Sequence, residues 1–373
     1  MISSVRLCNF KAFANTTIEL GALTLLSGLN SSGKSTVMQA LALLRQSADL
    51  SALSTESGDN GFVLNGELVE LGIGQDVRHE DWVPGSRGNG DIELEISNEA
   101  GLLRWAAAYE TEADLLPIVS APPRDRMVDV GIFRPGFQYL RADRINPAVS
   151  YPRSHEAAIR RRFLGARGEH TVNFLRHHQD DEVPAAVRLP DAAGATLIQQ
   201  AEAWLGHLCP GVNLSATGVE GTDTVRLSYS FGTAGLSSSN RYRPTNVGFG
   251  LTYVLPIIVA CLSVVPGSLV LVENPEAHLH PRGQSAIAGL IARAAAAGAQ
   301  VIVESHSDHV LNGLRLAVRQ QILAAHQLKL LYFSSAGGVK RVDSPSVSSD
   351  GKLSHWPSGF FDEWDNALDQ LID

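Results

Sequence analysis

Cysteine is scarce in this sequence: three occur in 373 residues, at Cys8, Cys209 and Cys261. They lie far apart and form no C-x-x-C pair, which excludes a disulfide framework and a zinc knuckle and suits a reducing compartment. Positive charge is also in deficit, because 30 Lys and Arg face 39 Asp and Glu and leave a formal net charge of -9. Histone-like binding of nucleic acid through bulk charge is therefore excluded, and any such contact needs a local basic patch.

The sequence also lacks an uninterrupted apolar segment of membrane-spanning length. The uncharged run at residues 251–272 is long enough, but Pro256 and the Pro266-Gly267 pair divide it. We therefore expect a buried helix, a turn and a buried strand there. Residues 1–13 do not contain the apolar core of a secretory signal, so we expect a protein that stays in the cytoplasm.

Composition and pattern both point to a large globular protein. Apolar residues make up 44% and charged residues 18% of the chain, which excludes a disordered tail, a collagen-like protein and a coiled-coil rod. The length predicts one large or two closely joined domains. Strands alternate with helices of about ten to fifteen residues in the last third, as in a parallel sheet covered on both faces. The predicted fold class is α/β.

A glycine-rich segment follows a predicted strand and precedes a predicted helix. Residues 28–35 read Gly-Leu-Asn-Ser-Ser-Gly-Lys-Ser and match the phosphate-binding pattern G-x-x-x-x-G-K-[ST] in the context that it requires. The glycines let backbone N–H groups surround a phosphate, and the helix start adds partial positive charge. Lys34 would reach the β- and γ-phosphates, and Ser35 would offer its hydroxyl to Mg²⁺. The predicted nucleotide-binding residues are Asn30, Ser31, Ser32, Gly33, Lys34, Ser35 and Thr36.

A phosphate loop of this kind needs a carboxylate near Mg²⁺, usually at the end of an apolar strand. The strand predicted at residues 269–273 ends in Glu273, and Glu276 follows three residues later, where it could orient or deprotonate the attacking water. His306 follows the next predicted strand, at the edge where open α/β sheets carry ligand chemistry. The H-x-H pattern at residues 278–280 lacks further ligands at zinc spacing, so a metal site there is the weaker interpretation.

The most basic stretch of the chain lies at residues 141–176, where eight arginines face three acidic residues. Arginine binds phosphate well and would make an affinity for DNA depend on salt. A solvated face or a face between protomers is the alternative interpretation. The predicted DNA-contacting residues are Arg153, Arg160, Arg161, Arg162 and Arg167.

Taken together, these motifs resemble ABC-type ATPases of the SMC, Rad50 and RecF kind, and most closely the prokaryotic OLD-like AAA/DUF3696 ATPases. The resemblance rests on residues 9–13 (Asn-Phe-Lys-Ala-Phe), the phosphate loop, the signature segment 246–250 (Asn-Val-Gly-Phe-Gly), and residues 273–281, 304–309 and 356–362. These segments occur in the family's order and span nearly the whole chain. The space between residues 150 and 245 allows only a small helical and β lobe, with no long coiled coil.

The resemblance implies a homodimer or higher assembly, in which the signature segment of one protomer caps the ATP bound to the other. Asn246, Gly248 and Gly250 are the residues implied in this contact. Glycines that lead into an apolar helix support that role, because the helix start could face a γ-phosphate. The alternative interpretation is a glycine-rich turn that packs a core helix.

The resemblance also implies roles for the carboxylates and for His306. Many ABC ATPases have Asp-Glu after the strand, whereas this chain has Glu273-Asn274. Because an amide cannot act as a base, Glu276 is the expected helper and hydrolysis could be slow or partner-triggered. His306 would read the γ-phosphate. The expected catalytic residues are Glu276, Glu273 and His306, and the expected Mg²⁺ ligands are Ser35, Glu273 and Gln75.

The expected division of the chain follows these motifs. Residues 1–150 would form the first part of the ATPase head, 151–245 the lobe, 246–324 the second part of the head, and 325–373 a DUF3696-like segment. The expected function is a Mg²⁺-dependent ATP-hydrolysing switch that dimerises on ATP and acts on DNA with a separate effector, such as a nuclease, in prokaryotic anti-phage defence or DNA repair. The alternatives are a transporter's nucleotide-binding subunit, although an LSGGQ-type signature is missing, and a self-contained OLD-like nuclease, for which residues 326–373 are too few.

Overall fold

The computed structural model describes residues 1–55, 60–82, 90–232, 239–336, 339–362, 368 and 370–371, and the structural statements below refer to this part of the chain. The chain divides into two compact units. The first consists of Met1–Arg134, Lys329–Ser346 and Ser354–Asp373, and the second of Pro135–Leu328 and Val347–Leu353. The predicted boundaries after residues 150, 245 and 324 stay predictions.

The secondary structure mixes strands and helices along the whole chain. The strands are β1 (Ile2–Phe10), β2 (Phe13–Glu19), β3 (Leu23–Gly28), β4 (Gly61–Val63), β5 (Ile92–Asn98), β6 (Gly101–Ala107), β7 (Leu115–Ser120), β8 (Gln138–Leu140), β9 (Tyr151–Pro152), β10 (Val212–Gly218), β11 (Thr224–Phe231), β12 (Leu269–Glu273), β13 (Gln300–Glu304), β14 (Leu328–Ala336) and β15 (Val339–Asp343). The helices are α1 (Lys34–Asp49), α2 (Gly74–Val77), α3 (Thr171–His178), α4 (Leu197–Gly206), α5 (Phe249–Leu262), α6 (Pro281–Ala296) and α7 (Asp308–Arg319).

An antiparallel sheet forms much of the first unit, in the strand order β2-β1-β5-β6-β7-β4. Its core is a row of paired apolar residues: Leu7 on β1 lies opposite Leu94 on β5, which lies opposite Trp105 on β6. All three side chains are fully buried. The alternation of buried and exposed residues along β1 is the period of two that a half-covered sheet requires.

The strand that leads into the phosphate loop is held by the C-terminal hairpin within the same unit. The order is β15-β14-β3, and β14 pairs antiparallel with β15. The Ser27 hydroxyl on β3 donates to the carbonyl oxygen of Leu331, at 3.3 Å. Residues separated by about three hundred positions in the sequence therefore support one loop.

Parallel strands form the centre of the second unit, in the order β13-β12-β8. Leu271 on β12 lies opposite Tyr139 on β8 and Ile302 on β13, and all three are buried. Continuous burial along β12 and β13 is typical of strands covered on both faces. The predicted α/β class with parallel strands is confirmed.

The uncharged run at residues 251–272 forms the predicted helix, turn and strand. Helix α5 is buried on nearly all sides and contains Pro256, and β12 begins at Leu269. In the described residues, no helix combines the length and apolarity needed to cross a membrane.

The hairpin of β10 and β11 adds a small antiparallel sheet with β9 to the second unit.

Candidate nucleotide site

The phosphate loop joins β3 to α1 through three residues in the left-handed region. Gly28, Ser31 and Gly33 have φ values of 132°, 59° and 106°. A Cβ atom at Gly28 would collide with the carbonyl oxygen of Phe333, and one at Gly33 would lie 2.7 Å from Cζ of Phe13. Both glycines are therefore required by backbone conformation and by space. Ser31 has a Cβ and pays about 1–3 kcal/mol for its conformation, a strain that is common at ligand-binding loops.

Lys34 begins α1 and turns back into the loop. Its side chain is buried, and its ammonium donates to the carbonyl oxygens of Gly28 at 3.0 Å and Leu29 at 2.7 Å. The Ser32 hydroxyl also donates to the Leu29 carbonyl, at 2.7 Å. The first turn of α1 contains no acidic residue, so the positive end of the helix dipole is available to an anion. The loop thus presents a fixed ammonium and a helix start to the same small region.

A second lysine lies at this loop and was not predicted. Nζ of Lys340, on β15, donates to the carbonyl oxygen of Ser31 at 2.9 Å. On the neighbouring strand, the ring of Phe333 packs against Phe13 with centroids 6.3 Å apart. No local pattern around Lys340 distinguishes it from any exposed strand lysine, because its position depends on the pairing of β14 with β15 and β3.

Glu273 lies at the end of β12, as predicted, and both of its carboxylate oxygens are held. The Tyr139 hydroxyl donates to Oε1 at 2.6 Å, and the backbone N–H of Ala142 donates to Oε2 at 2.8 Å. Burial, together with the neighbouring Glu273 carboxylate, raises the pKa of Tyr139 well above its ordinary value. Tyr139 is therefore a permanent donor, and it fixes the orientation of Glu273. Each carboxylate oxygen keeps a further lone pair for another ligand.

Glu276 and His306 are brought together by the ends of β12 and β13. Oε1 of Glu276 accepts a hydrogen bond from the backbone N–H of His306, at 2.8 Å. Oε2 is buried and has no hydrogen-bond partner within the described residues. A buried carboxylate oxygen without a partner is costly and calls for an explanation such as a ligand or a reacting water. Asn274 has a φ of 44°, so the turn between the two glutamates is itself strained.

The H-x-H pattern serves the structure. The His278 ring packs against Phe249 and Tyr253, with centroids 4.5 and 4.8 Å away. Nδ1 of His280 accepts from the backbone N–H of Arg282, at 3.4 Å, and caps the start of α6. In the described part of the chain, no group of three or more His, Cys, Asp or Glu side chains is arranged to hold a metal ion.

The predicted signature segment borders a groove of about 630 Å³. Residues Pro244–Asn246 form a single helical turn, and α5 begins at Phe249, directly after Gly248. A Cβ at Gly248 would meet open space, whereas one at Gly250 would lie 2.6 Å from the His278 carbonyl oxygen. The lining of the groove includes Asn246, Gly248, Gly250, His207, His280 and Arg282. The lining thus combines imidazole rings and a guanidinium, which suit an anion, with apolar side chains such as Leu208 and Phe231.

The other predicted ligands occupy different parts of the chain. Gln75 lies exposed on α2 in the first unit, where its backbone N–H donates to the Thr111 carbonyl at 3.0 Å. The phosphate loop belongs to the same unit, whereas Glu273, Glu276 and the signature segment belong to the second. The role of Gln75 as a Mg²⁺ ligand stays a prediction.

The predicted DNA-contacting arginines are largely engaged with the protein itself. Arg160, Arg162 and Arg167 lie 3.3, 3.7 and 3.4 Å from the carboxylates of Glu156, Asp181 and Asp143, respectively. The guanidinium of Arg161 lies 5.3 Å from the Phe163 ring centroid, and Arg153 is exposed. Local carboxylates reduce the positive charge that three of the five arginines present, so a DNA phosphate would have to compete with them.

A glycine-rich phosphate loop, an apolar parallel strand that ends in a fixed carboxylate, and a histidine at the end of the adjacent parallel strand are the features of a P-loop nucleotide-binding domain. The chain belongs to the family described as "AAA domain, putative AbiEii toxin, Type IV TA system", whose model matches residues 23–312. Residues 323–371 match a second family, described as "Protein of unknown function (DUF3696)". The predicted resemblance to SMC-like and DUF3696 ATPases is confirmed.

Solved structures support the same fold. The chain is similar to an Smc head bound to the C-terminal winged-helix domain of ScpA, with 15% identity, a TM-score of 0.54, and coverage of 92% of this chain and 98% of that one. It is also similar to an Smc head with an extended coiled coil, bound to the C-terminal domain of ScpA derived from Pyrococcus furiosus. There the identity is 14%, the TM-score 0.50, and the coverage 100% and 99%. Comparison with curated proteins gives no significant match.

Proposed function

We propose that this protein is a Mg²⁺-dependent ATP-binding and ATP-hydrolysing switch subunit that dimerises on ATP. The observation that carries the proposal is Glu276, whose Oε1 is fixed by the His306 N–H while the buried Oε2 has no partner in the described residues. A carboxylate held in one orientation with one oxygen unused is suited to accept a proton from an attacking water. The chain combines it with a complete phosphate loop.

ATP binding is assigned to the phosphate loop. Lys34 donates to two loop carbonyls, and the β- and γ-phosphates would replace these carbonyls as charged acceptors, which form stronger hydrogen bonds. Asn30 to Thr36 supply backbone N–H groups at a helix start without a first-turn carboxylate. We expect this loop to bind a polyphosphate in preference to a neutral ligand.

Mg²⁺ fits the oxygen donors assigned to it. The Ser35 hydroxyl and the Glu273 carboxylate are hard ligands of the kind that Mg²⁺ prefers, and Tyr139 and Ala142 fix Glu273 while leaving lone pairs on both oxygens. When bound, the ion would neutralise charge that develops on the β- and γ-phosphates. Gln75 is the third proposed ligand.

The assignment of catalytic roles follows from side-chain chemistry. Asn274 carries an amide and cannot accept the water's proton, so Glu276 is the proposed base. Glu273 orients the metal side of the site, and the His306 side chain is proposed to contact the γ-phosphate. Because the base acts three residues beyond the strand end, we expect a low intrinsic rate that a partner or substrate raises.

Dimerisation is proposed to complete the site through the signature segment. The groove beside Asn246, Gly248 and Gly250 carries imidazole and guanidinium groups, which suit the γ-phosphate of a nucleotide held by a second copy. The matched family's description names a toxin of a type IV toxin–antitoxin system, and the similar Smc heads were solved with ScpA. Those descriptions are compatible with a switch that works with a partner protein, and we propose that this partner is a separate effector, such as a nuclease, in prokaryotic defence or repair.

DNA is the proposed trigger or target, although the arginines at residues 153–167 contribute less to it than their number in the sequence indicates. Three of the five lie near carboxylates. The test of the basic surface is a triple alanine variant of Arg160, Arg161 and Arg162, with DNA affinity measured from low to physiological salt. A lower affinity and a shallower salt dependence are expected, and unchanged binding would exclude this surface.

The function is tested by the steady-state ATPase rate of the purified protein, with and without linear double-stranded DNA. Lys34→Ala is expected to abolish nucleotide binding or turnover, because it removes the charge that faces the phosphates. Lys352→Ala, at an exposed lysine paired with Asp350, is the matched control and should retain the parent rate. Turnover that survives in Lys34→Ala would contradict the assignment, and DNA cleavage by the pure protein that survives in Glu273→Gln would indicate a self-contained nuclease.

A further inference from the structure

Arg144 is a buried arginine with an unusual set of partners. It belongs to the basic stretch at residues 141–176, but only 1% of it is exposed. Its guanidinium donates to the backbone carbonyl oxygens of Arg141 at 3.0 Å, Tyr253 at 3.2 Å, Glu273 at 2.5 Å and Asn274 at 2.7 Å, and it forms no salt bridge within the described residues. Burial lowers the pKa of Arg144, opposed by nearby Tyr253 and Glu276. A charge kept inside a protein on neutral acceptors is costly, so its retention needs a reason beyond filling space.

Two of these acceptors belong to the carboxylate end of β12. Nη1 of Arg144 bonds the carbonyl of Glu273, and Nη2 bonds the carbonyl of Asn274. Asn274 is in the left-handed region, with a φ of 44°, so Arg144 stabilises the strained turn from which Glu276 projects. The Glu273 side chain is bonded by Ala142, two residues before Arg144. One short segment after β8 therefore holds both the backbone and the side chain of the catalytic turn.

The remaining contacts reach the helix that carries the signature segment. Nε of Arg144 bonds the Tyr253 carbonyl, and the guanidinium lies 4.4 Å from the centroid of the Tyr253 ring. The Tyr253 hydroxyl donates back to the carbonyl of Ala142. The His278 ring also contacts Tyr253, in an edge-on arrangement with centroids 4.8 Å apart. Tyr253 lies in the second turn of α5, five residues after Gly248.

Arg144 thus connects the turn at residues 273–276 with α5, two segments that are proposed to contact different ATP molecules. The carboxylates act on the ATP of their own protomer, whereas the signature contacts the ATP of the other. A planar guanidinium with donors in a fixed fork transmits a displacement between its acceptors better than separate flexible contacts would. We propose that Arg144 is a positioning residue that couples α5 to the turn at residues 273–276, so that engagement of the signature segment by a second copy's nucleotide aligns Glu273 and Glu276. This inference rests on the proposed function.

The first test compares Arg144→Lys with the parent. Lysine keeps the charge but cannot bond the Glu273, Asn274 and Tyr253 carbonyls together. We expect the Kd for ATP to change by less than about twofold, kcat to fall by at least about tenfold, which corresponds to ~1.4 kcal/mol, and the Hill coefficient of turnover to fall towards ~1. Tyr253→Phe, which removes only the hydroxyl bond to Ala142 and keeps the ring under the guanidinium, should show the same change to a smaller extent.

Two controls separate coupling from a loss of stability. Arg141→Lys makes the same substitution three residues away, at a side chain that pairs with Asp143, and should leave kcat and the Hill coefficient unchanged. Val172→Ala, in the core of the same unit, should lower the melting temperature without changing either quantity. If folded Arg144→Lys retains the parent's kcat and Hill coefficient, the coupling role is wrong.

A second measurement does not depend on ATP turnover and separates this inference from the proposed function. Absence of turnover in the parent under every condition would refute the proposed function alone. Amide hydrogen exchange of Arg144→Lys should then still rise together at residues 274–280 and at the N-terminal half of α5, because one side chain holds both. An increase confined to residues 141–144, with α5 and the turn as protected as in the parent, would overturn the coupling.

Discussion

Replacing Tyr139 by phenylalanine removes one hydrogen bond to the carboxylate that is proposed to orient Mg²⁺. Tyr139 is 2% exposed, and its hydroxyl lies 2.6 Å from Oε1 of Glu273. A hydrogen bond to a charged group is worth about 1.5–3 kcal/mol. If the whole free energy of this hydrogen bond serves to orient Glu273 in the transition state, its loss lowers kcat/KM by about 10- to 150-fold. The Ala142 N–H still holds Oε2, so the carboxylate stays in place but can rotate.

The assay is the ATPase rate as a function of Mg²⁺ concentration. Tyr139→Phe should need more Mg²⁺ for half-maximal rate, because the ligand is no longer pre-oriented, while ATP binding without Mg²⁺ is unchanged. Tyr229→Phe is the matched control, since that buried hydroxyl bonds the Thr252 hydroxyl at 3.0 Å in the same unit. The reasoning fails if Tyr139→Phe and Tyr229→Phe show the same Mg²⁺ dependence as the parent.

Two further predictions concern a lysine and a histidine outside the predicted site. Lys340→Met should weaken ATP binding by several-fold in equilibrium titration with a fluorescent ATP analogue, consistent with the loss of a half-buried charge worth about 1 kcal/mol. Lys352→Met should leave the affinity unchanged, and equal affinities of the two variants would show that Lys340 does not contribute to ATP binding. Burial lowers the pKa of His178, against a bond of 2.8 Å to Asp181. The lowered pKa in the folded state contributes stability above the unfolded-state pKa of about 6.5, and this contribution is lost as the pH falls below that value. The melting temperature should therefore drop between about pH 7.5 and 5.5. The drop should be smaller in His178→Asn, and an equal drop would exclude this histidine as its source.

The parts of the site that sequence could predict are those with local patterns. The phosphate loop has a fixed spacing of glycines before a helix, and α1 begins at Lys34, within the loop motif itself. An uncharged strand that ends in an acidic residue located Glu273 at the end of β12. Both features depend on residues that are neighbours in the chain, so periodicity and turn chemistry are sufficient to find them.

The parts that sequence could not predict depend on pairing between distant segments. Tyr139 meets Glu273 because β8 lies beside β12, and Lys340 meets Ser31 across 309 positions. Arg144 is one of the eight arginines at residues 141–176, and only its burial against four carbonyls distinguishes it. In the other direction, three of the five arginines that predicted a DNA surface lie near carboxylates. Charge counted along a chain does not reveal which charges neutralise one another in the fold.

The measurement that tests the central claim most directly is the assembly state and turnover of Glu276→Gln in the presence of Mg²⁺ and ATP. Light scattering after size-exclusion chromatography gives the mass, and a phosphate-release assay gives the rate. Glu182→Gln, at an exposed ion pair with Arg188, is the control. The account predicts that Glu276→Gln binds ATP, loses turnover and accumulates as a dimer, while Glu182→Gln behaves like the parent. A monomeric Glu276→Gln protein that hydrolyses ATP at the parent rate would contradict it.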